Sequence, residues 1–180
     1  MKDGKNIKES KGALYGKIMK LLINLSAIAL TGIITFSYLK KNFIINLTPS
    51  INTGIYKIEE ISKIKKGDIV TFNVDEDLYN FMLERGYIDK KIKGFIKKVA
   101  GMEGDEIEVG EHLIINKKIK KKLPKKDTLG RDLPLKEGKY ILKKDEYFML
   151  GDNARSFDSS YMGIIRKDQI KSKAELMIEF

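Results

Sequence analysis

The 180-residue sequence contains no cysteine and a single histidine, His112. The lack of cysteine excludes thiol catalysis, disulfide scaffolds and zinc fingers. A Ser-His-Asp triad is disfavoured as well, because His112 lies in a predicted hairpin whose surroundings offer no acidic partner for such an arrangement. Hydrolytic chemistry in this chain therefore needs a general base other than histidine.

The formal net charge of +10 is unevenly distributed along the chain. Residues 1–41 carry eight lysines and two acidic residues, whereas residues 42–180 carry 27 basic and 23 acidic residues. A basic arm beside an apolar segment is typical of a protein that meets anionic lipid headgroups. A nucleic-acid partner is not expected, since the lysine-rich part of the remaining sequence lacks interleaved aromatic residues.

The basic arm, residues 1–20, is followed by nineteen uncharged residues from Leu21 to Leu39. As a helix this segment would span roughly 28 Å, close to the hydrocarbon thickness of a bilayer. We interpret it as a retained transmembrane helix, because buried core helices rarely run so far without a charge and no cleavage site of the Ala-x-Ala type follows. Six lysines in residues 1–20 against three in residues 40–59 predict a single-pass cell-membrane protein with a cytoplasmic N-terminus and residues 42–180 outside.

The sequence from residue 42 to residue 180 predicts a mainly β domain, because short apolar or alternating runs are separated by turn residues. We expect strands at 68–72, 95–100, 106–109, 112–115, 140–142, 147–150 and 174–180. The apolar residues of Asp77 to Arg85 recur at helical spacing ahead of Gly86, which predicts one short inserted helix that serves packing. Seven lysines in residues 117–126 predict a solvated loop or hairpin tip, with binding to anionic lipid or acidic partners as the alternative.

Three polar segments differ from ordinary packing sequence. The first, Asn46 to Tyr56, places Ser50 among Thr, Pro and Gly shortly after the membrane segment. The second, Gly94 to Asp105, contains two adjacent lysines in a predicted strand, so one of the two should point inward. The third, Gly151 to Gly163, is a dense polar loop after an apolar strand, where functional sites are often built.

Taken in order, the three segments resemble the motifs of the signal peptidase I family of Ser-Lys proteases. The second segment reproduces Lys-basic-aliphatic followed by Gly-x-x-Gly-Asp, and the third reproduces Gly-Asp-Asn followed by Ser-x-Asp-Ser-x-Tyr-x-Gly. The resemblance covers essentially the whole chain. It implies a signal-peptidase-like domain of short antiparallel strands behind one transmembrane helix, acting as a serine endopeptidase that removes signal peptides and requires no metal or cofactor.

The resemblance assigns roles to five residues. Ser50 is expected to be the nucleophile, and Lys97, the first lysine of the pair, its general base. Thr48 occupies the position of a hydroxyl donor to the oxyanion, and Ser156 that of the hydroxyl that orients the lysine amine. Asp158 is expected to support the site structurally. A lysine acts as a base only when neutral, so its pKa must fall by roughly three units from about 10.4, at about 4 kcal/mol, through burial among apolar residues.

Several positions depart from the family pattern. Ile51 and Asn52 replace the usual Met and Pro after the nucleophile. Ser160 stands where the family carries Arg, which removes the expected ion-pair partner of Asp158 and leaves Arg155 as a candidate replacement. The residue patterns of the first and third segments resemble those of the conjugative-transfer signal peptidases more than those of the housekeeping enzymes. A peptidase dedicated to pilin maturation is therefore an alternative function.

Two further alternatives remain at the level of sequence. A membrane-tethered β-domain without catalytic activity would share the anchor and the motifs. A cytoplasmic Ser-Lys autoprotease of the repressor type would share the dyad but would lack the segment from Leu21 to Leu39. The partners expected for the favoured interpretation are preproteins that carry signal peptides, the lipid bilayer, and secretion or conjugation machinery.

Overall fold

A computed structural model describes residues 3–92 and 94–180, which form two compact units that divide between Asn42 and Phe43. The first unit is one helix, α1 (Asp3–Asn42), which includes the predicted membrane segment and extends it at both ends. From Tyr15 to Asn42 this helix is long and apolar enough to cross a membrane, and its side chains are unburied. Its orientation remains a prediction.

Within its described residues the second unit contains eleven strands, numbered in chain order. They are β1 (Phe43–Asn46), β2 (Gly54–Glu59), β3 (Ile69–Phe72), β4 (Phe95–Gly101), β5 (Glu106–Val109), β6 (His112–Ile115), β7 (Lys118–Lys122), β8 (Gly138–Ile141), β9 (Glu146–Leu150), β10 (Ile165–Arg166) and β11 (Ile170–Glu179). Helix α2 (Glu76–Glu84) follows β3, and α3 (Ser159–Met162) and a 3₁₀ turn (Lys167–Gln169) flank β10.

These strands form two antiparallel sheets. The larger sheet has the order β1-β2-β11-β3-β4-β9-β10, and the smaller has the order β7-β6-β5-β8. The apolar side chains of the two sheets pack into three buried clusters, and the central strands β3 and β9 bury consecutive residues. The cluster under the larger sheet includes Phe72 and Met149 together with Met82 of α2, which accounts for that helix as a packing element. A second cluster joins Leu113 of the smaller sheet to Phe148 of β9.

The predicted fold class is confirmed: the domain is mainly β, its strands are short and antiparallel, and one short helix is inserted after β3. Each predicted strand occurs at or near its expected position. Strands β1, β2 and β10 and helix α3 were not predicted from the sequence.

The prediction that residues 117–126 form a solvated loop or hairpin tip needs correction. The segment is not a loop throughout, because Lys118–Lys122 form strand β7 and pair with β6. Lysine is tolerated on such an edge strand, since its aliphatic stem can lie along the sheet while the charged group reaches solvent. The ammonium group of Lys121 instead forms an ion pair with the buried carboxylate of Asp158.

Candidate active site

Ser50 lies in the turn between β1 and β2, and the shape of this turn depends on Asn46. The Asn46 side chain is buried, and its Nδ2 donates to the carbonyl oxygens of Thr48, Ile51 and Asn52 at 3.0, 3.4 and 3.0 Å. Its Oδ1 accepts the backbone N–H of Thr48 at 3.1 Å. Sequence reasoning did not single out Asn46, although its place at the start of the serine segment was a usable signal.

Strand β4 brings Lys97 to the serine. The side chain of Lys97 is buried, with the residue 6% exposed, and its Nζ donates to Ser50 Oγ at 2.7 Å. Lys98 points to the opposite face, as strand alternation requires, and forms an ion pair with Asp152 at 2.8 Å. The inward lysine of the pair is therefore Lys97.

The environment of Lys97 weakens its hold on a proton. Burial lowers its pKa from the ordinary 10.5 to about 8, with the negative charge of Asp158 opposing this shift and the positive charge of Lys121 adding to it. At pH 8 about half of the molecules would then carry a neutral amine at this position. A neutral amine can accept the serine proton across the same contact in which the ammonium now donates.

The loop after β9 encloses Ser50 from another direction. The backbone N–H of Asp152 donates to the carbonyl oxygen of Ser50 at 2.6 Å. A side chain at Gly151 would clash with the Ser156 hydroxyl and would place its Cβ 2.6 Å from the same Ser50 carbonyl oxygen. Only glycine therefore permits this close approach of the loop to the serine backbone.

Two predicted supporting residues lie deeper in this loop. Ser156 is buried, and within the described residues its hydroxyl has no hydrogen-bond partner, so the expected contact with the lysine amine is not formed. Asp158 is fully buried, and its carboxylate accepts the backbone N–H groups of Gly151 at 3.3 Å and Ser160 at 3.2 Å. The latter contact caps α3.

The cation that contacts Asp158 is Lys121, whose Nζ lies 2.6 Å from Asp158 Oδ2. The candidate replacement named from sequence, Arg155, is instead exposed in the loop, where its backbone N–H donates to Asn153. Sequence reasoning missed Lys121 because it is one lysine of a run, 37 positions from its partner, and nothing local distinguishes it.

The predicted oxyanion donor, Thr48, lies beside the nucleophile. Its hydroxyl is 3.4 Å from Ser50 Oγ and donates its single proton to Asn46 Oδ1 at 2.7 Å. Rotation of this hydroxyl would free the proton for a substrate. Asn46 Oδ1 would still be satisfied, because it also accepts the Thr48 backbone N–H.

Comparison with known proteins is decisive for the family. The family model described as signal peptidase, peptidase S26, matches residues 17–179. The chain belongs to the signal peptidase family. This confirms the resemblance drawn from the three motifs.

The relatives of this signal peptidase family member include both conjugative-transfer proteins and signal peptidases. It is 25% identical over 171 residues to a conjugal transfer protein TraF of Agrobacterium tumefaciens, covering 89% of this chain and 96% of the relative. It is 31% identical over 147 residues to a plasmid transfer protein TraF of Escherichia coli, covering 71% and 78%. A signal peptidase I P of Bacillus subtilis subsp. natto is 33% identical over 122 residues, covering 63% and 58%.

Proposed function

We propose that the chain is a membrane-anchored serine endopeptidase that removes signal peptides from exported preproteins, with Ser50 as nucleophile and Lys97 as general base. The observation that carries this proposal is the 2.7 Å contact between Lys97 Nζ and Ser50 Oγ, made by a lysine buried in the sheet. A serine hydroxyl is a weak nucleophile until a neighbouring base removes its proton, and the Lys97 amine is a basic group in hydrogen-bond contact with it. Membership of the signal peptidase family supports the same chemistry.

The reaction would proceed through an acyl-enzyme. Lys97 takes the proton of Ser50 while Oγ bonds to the scissile carbonyl carbon, and the carbonyl electrons move to the oxygen. The Ser50 backbone N–H and the rotated Thr48 hydroxyl stabilise this oxyanion. As the carbonyl re-forms and the C–N bond breaks, the Lys97 ammonium gives its proton to the leaving amine. The neutral lysine then takes a proton from water, whose oxygen attacks the ester carbonyl, and returns that proton to Ser50 Oγ as the C–Oγ bond breaks and the carboxylic acid product leaves.

Incubation of the purified full-length chain with a secreted preprotein in detergent micelles tests this function directly. We expect one new N-terminus, identified by mass spectrometry, immediately after the small residues that end the signal peptide. Failure to cleave any signal-peptide-bearing preprotein of the host would contradict the proposal and would favour a membrane-tethered domain without catalytic activity.

A peptidase dedicated to conjugative transfer is the second candidate. The observation that favours it is the similarity to two proteins named for conjugal and plasmid transfer, both of which the chain covers over most of their length. Comparing the new N-termini across the whole secreted proteome separates the candidates. A dedicated enzyme is expected to change one or a few proteins, whereas a general signal peptidase is expected to change many.

Thr48→Val is expected to lower kcat by about 10²-fold with little change in KM, because it removes one donor to the oxyanion and keeps the side-chain shape. The measurement is steady-state cleavage of a fluorogenic peptide. Thr48→Ser is the matched control and should retain most of the activity. A Thr48→Val protein as fast as the wild type would leave the backbone N–H of Ser50 as the donor and remove Thr48 from the mechanism.

The N-terminus is proposed to be cytoplasmic and residues 42–180 to lie outside, since lysines are more numerous before the apolar part of α1 than after it. In sealed inside-out membrane vesicles, added protease is expected to leave residues 42–180 intact until detergent opens the vesicles. Loss of this domain from intact inside-out vesicles would reverse the assigned orientation.

A further inference from the structure

The buried ion pair between Lys121 and Asp158 connects the smaller sheet to the loop of the candidate site. Its side chains are 10% and 0% exposed, whereas the other ion pairs among the described residues have at least one partner 20% exposed or more. Assembling two buried ions costs desolvation free energy, and such pairs contribute little net stability. Stabilisation of the fold alone is therefore a weak explanation for this pair.

Asp158 links this pair to the backbone around the serine. Its Oδ2 accepts both the Lys121 ammonium and the Gly151 N–H. Asp152, which follows Gly151 in the chain, donates its backbone N–H to the carbonyl oxygen of Ser50. The position of the Asp158 carboxylate is thus transmitted through two consecutive peptide groups to the residue that carries the nucleophile.

Asp158 and Lys121 also provide the charges that act on Lys97. The Asp158 carboxylate raises the pKa of Lys97, and the Lys121 ammonium lowers it, so the two effects oppose each other and burial dominates. Tyr161, another titratable group that feels the charge of Asp158, stays neutral, because burial and then that negative charge raise its pKa to about 12. An unpaired Asp158 would instead attract the Lys97 ammonium and keep it protonated.

We propose that Lys121 is a positioning residue of the site: it neutralises the buried Asp158 carboxylate and so prevents Asp158 from holding Lys97 as its ion-pair partner. The inference rests on the proposed function, since it places Lys121 in support of Lys97 as the base. Lys121 would supply from strand β7 the positive charge that Ser160 does not provide beside Asp158.

The test uses the full-length chain in detergent micelles, with ¹³C-labelled lysine and NMR observation of the Lys97 side chain, assigned by its loss in Lys97→Met. In Lys121→Met the titration of Lys97 is expected to move up by about one pH unit, because a nearby carboxylate loses its counter-charge. The acid limb of the pH profile of kcat/KM, measured with a fluorogenic peptide, should move up by the same amount. Lys121→Arg should restore both.

The matched control is Lys122→Met, which removes the next lysine of the same strand, one that pairs with Glu111 at the surface. It is expected to move neither the titration nor the acid limb. A folded Lys121→Met protein with an unmoved Lys97 titration would overturn the inference. If Lys121→Met does not fold, Asp158→Asn decides: it leaves Lys121 unneutralised, so the Lys97 titration should move down, and an unmoved titration there also overturns the inference.

The two proposals can fail separately in this experiment, because the NMR titration does not require cleavage. A wild-type chain that cleaves no preprotein contradicts the proposed function, while the coupling of Lys121 to Lys97 is still measured. A wild-type chain that cleaves, with a Lys97 titration unmoved in the variants, contradicts only the role of Lys121.

Discussion

Ser50→Ala is expected to abolish preprotein cleavage, with a rate at least about 10⁴-fold below that of the wild type, because no oxygen remains to form the acyl-enzyme. The fold should be retained, since Ser50 is half-buried in a turn whose shape depends on Asn46 and on the Asp152 N–H, and neither contact uses the serine hydroxyl. Appearance of the mature protein from a purified preprotein measures the effect. Circular dichroism checks the fold.

The matched control for this substitution is Ser62→Ala, which removes an exposed serine from the segment after β2. It should cleave at the wild-type rate. If Ser50→Ala and Ser62→Ala cleaved equally well, the nucleophile would have to be another residue, and the contact between Lys97 and Ser50 would lose its proposed meaning.

Lys97→Met is expected to be as inactive as Ser50→Ala and at the same time more stable than the wild type. Methionine fills a similar volume but carries no charge, so it relieves the cost of holding a protonated amine in the sheet. From the fall in the pKa of Lys97 from 10.5 to about 8, this gain is on the order of 3 kcal/mol at pH 7, less what is lost with the hydrogen bond to Ser50.

Chemical denaturation gives the stability, and preprotein cleavage gives the activity. Lys171→Met, at an exposed position of β11, is the control, and should change neither measurement by much. A Lys97→Met variant that retains wild-type cleavage would exclude this lysine as the base. A loss of stability as large as that of a core truncation would show that the buried amine stabilises the fold.

The Lys97 amine also sets how the activity and the stability of the wild type depend on pH. Below about pH 8 the rate should fall about tenfold per unit, because only the neutral amine accepts the serine proton. Since the folded pKa lies below the unfolded one, the unfolded chain binds more protons between the two values, and this group makes the fold more stable as pH rises from about 8 towards 10.5. The activity profile and the denaturation midpoint across this range check both signs.

How far the sequence predicts this site depends on the range of the contacts involved. Strand alternation requires Lys97 and Lys98 to face opposite sides, and the structure shows Lys97 inside. The main strands were predicted for a similar reason, since their apolar runs and the turn residues between them are local features of the sequence. The partner of Asp158 was not predictable, because the contact depends on how β7 packs and not on any local pattern.

The charge composition of residues 117–126 led to a wrong prediction of their backbone structure. A run of lysines suggests a solvated loop when each charge is assumed to seek water. In the structure, pairing with β6 determines the backbone of Lys118–Lys122, and a single buried carboxylate determines the position of one ammonium. Thr48 shows a related limit: its position beside the nucleophile follows from the motif, but the present direction of its proton follows from Asn46.

The turn that carries Ser50 is held by five hydrogen bonds of the Asn46 side chain, and Asn52 stands where the family usually has a proline. A proline ring restricts the chain before folding, whereas these bonds form as the chain folds, and the asparagine that makes them is itself paired with Gly54 of β2. Order in the turn is therefore gained and lost together with the sheet. On the proposed function, a chain that is still folding would lack an aligned serine and lysine and would therefore be inactive until the sheet has formed.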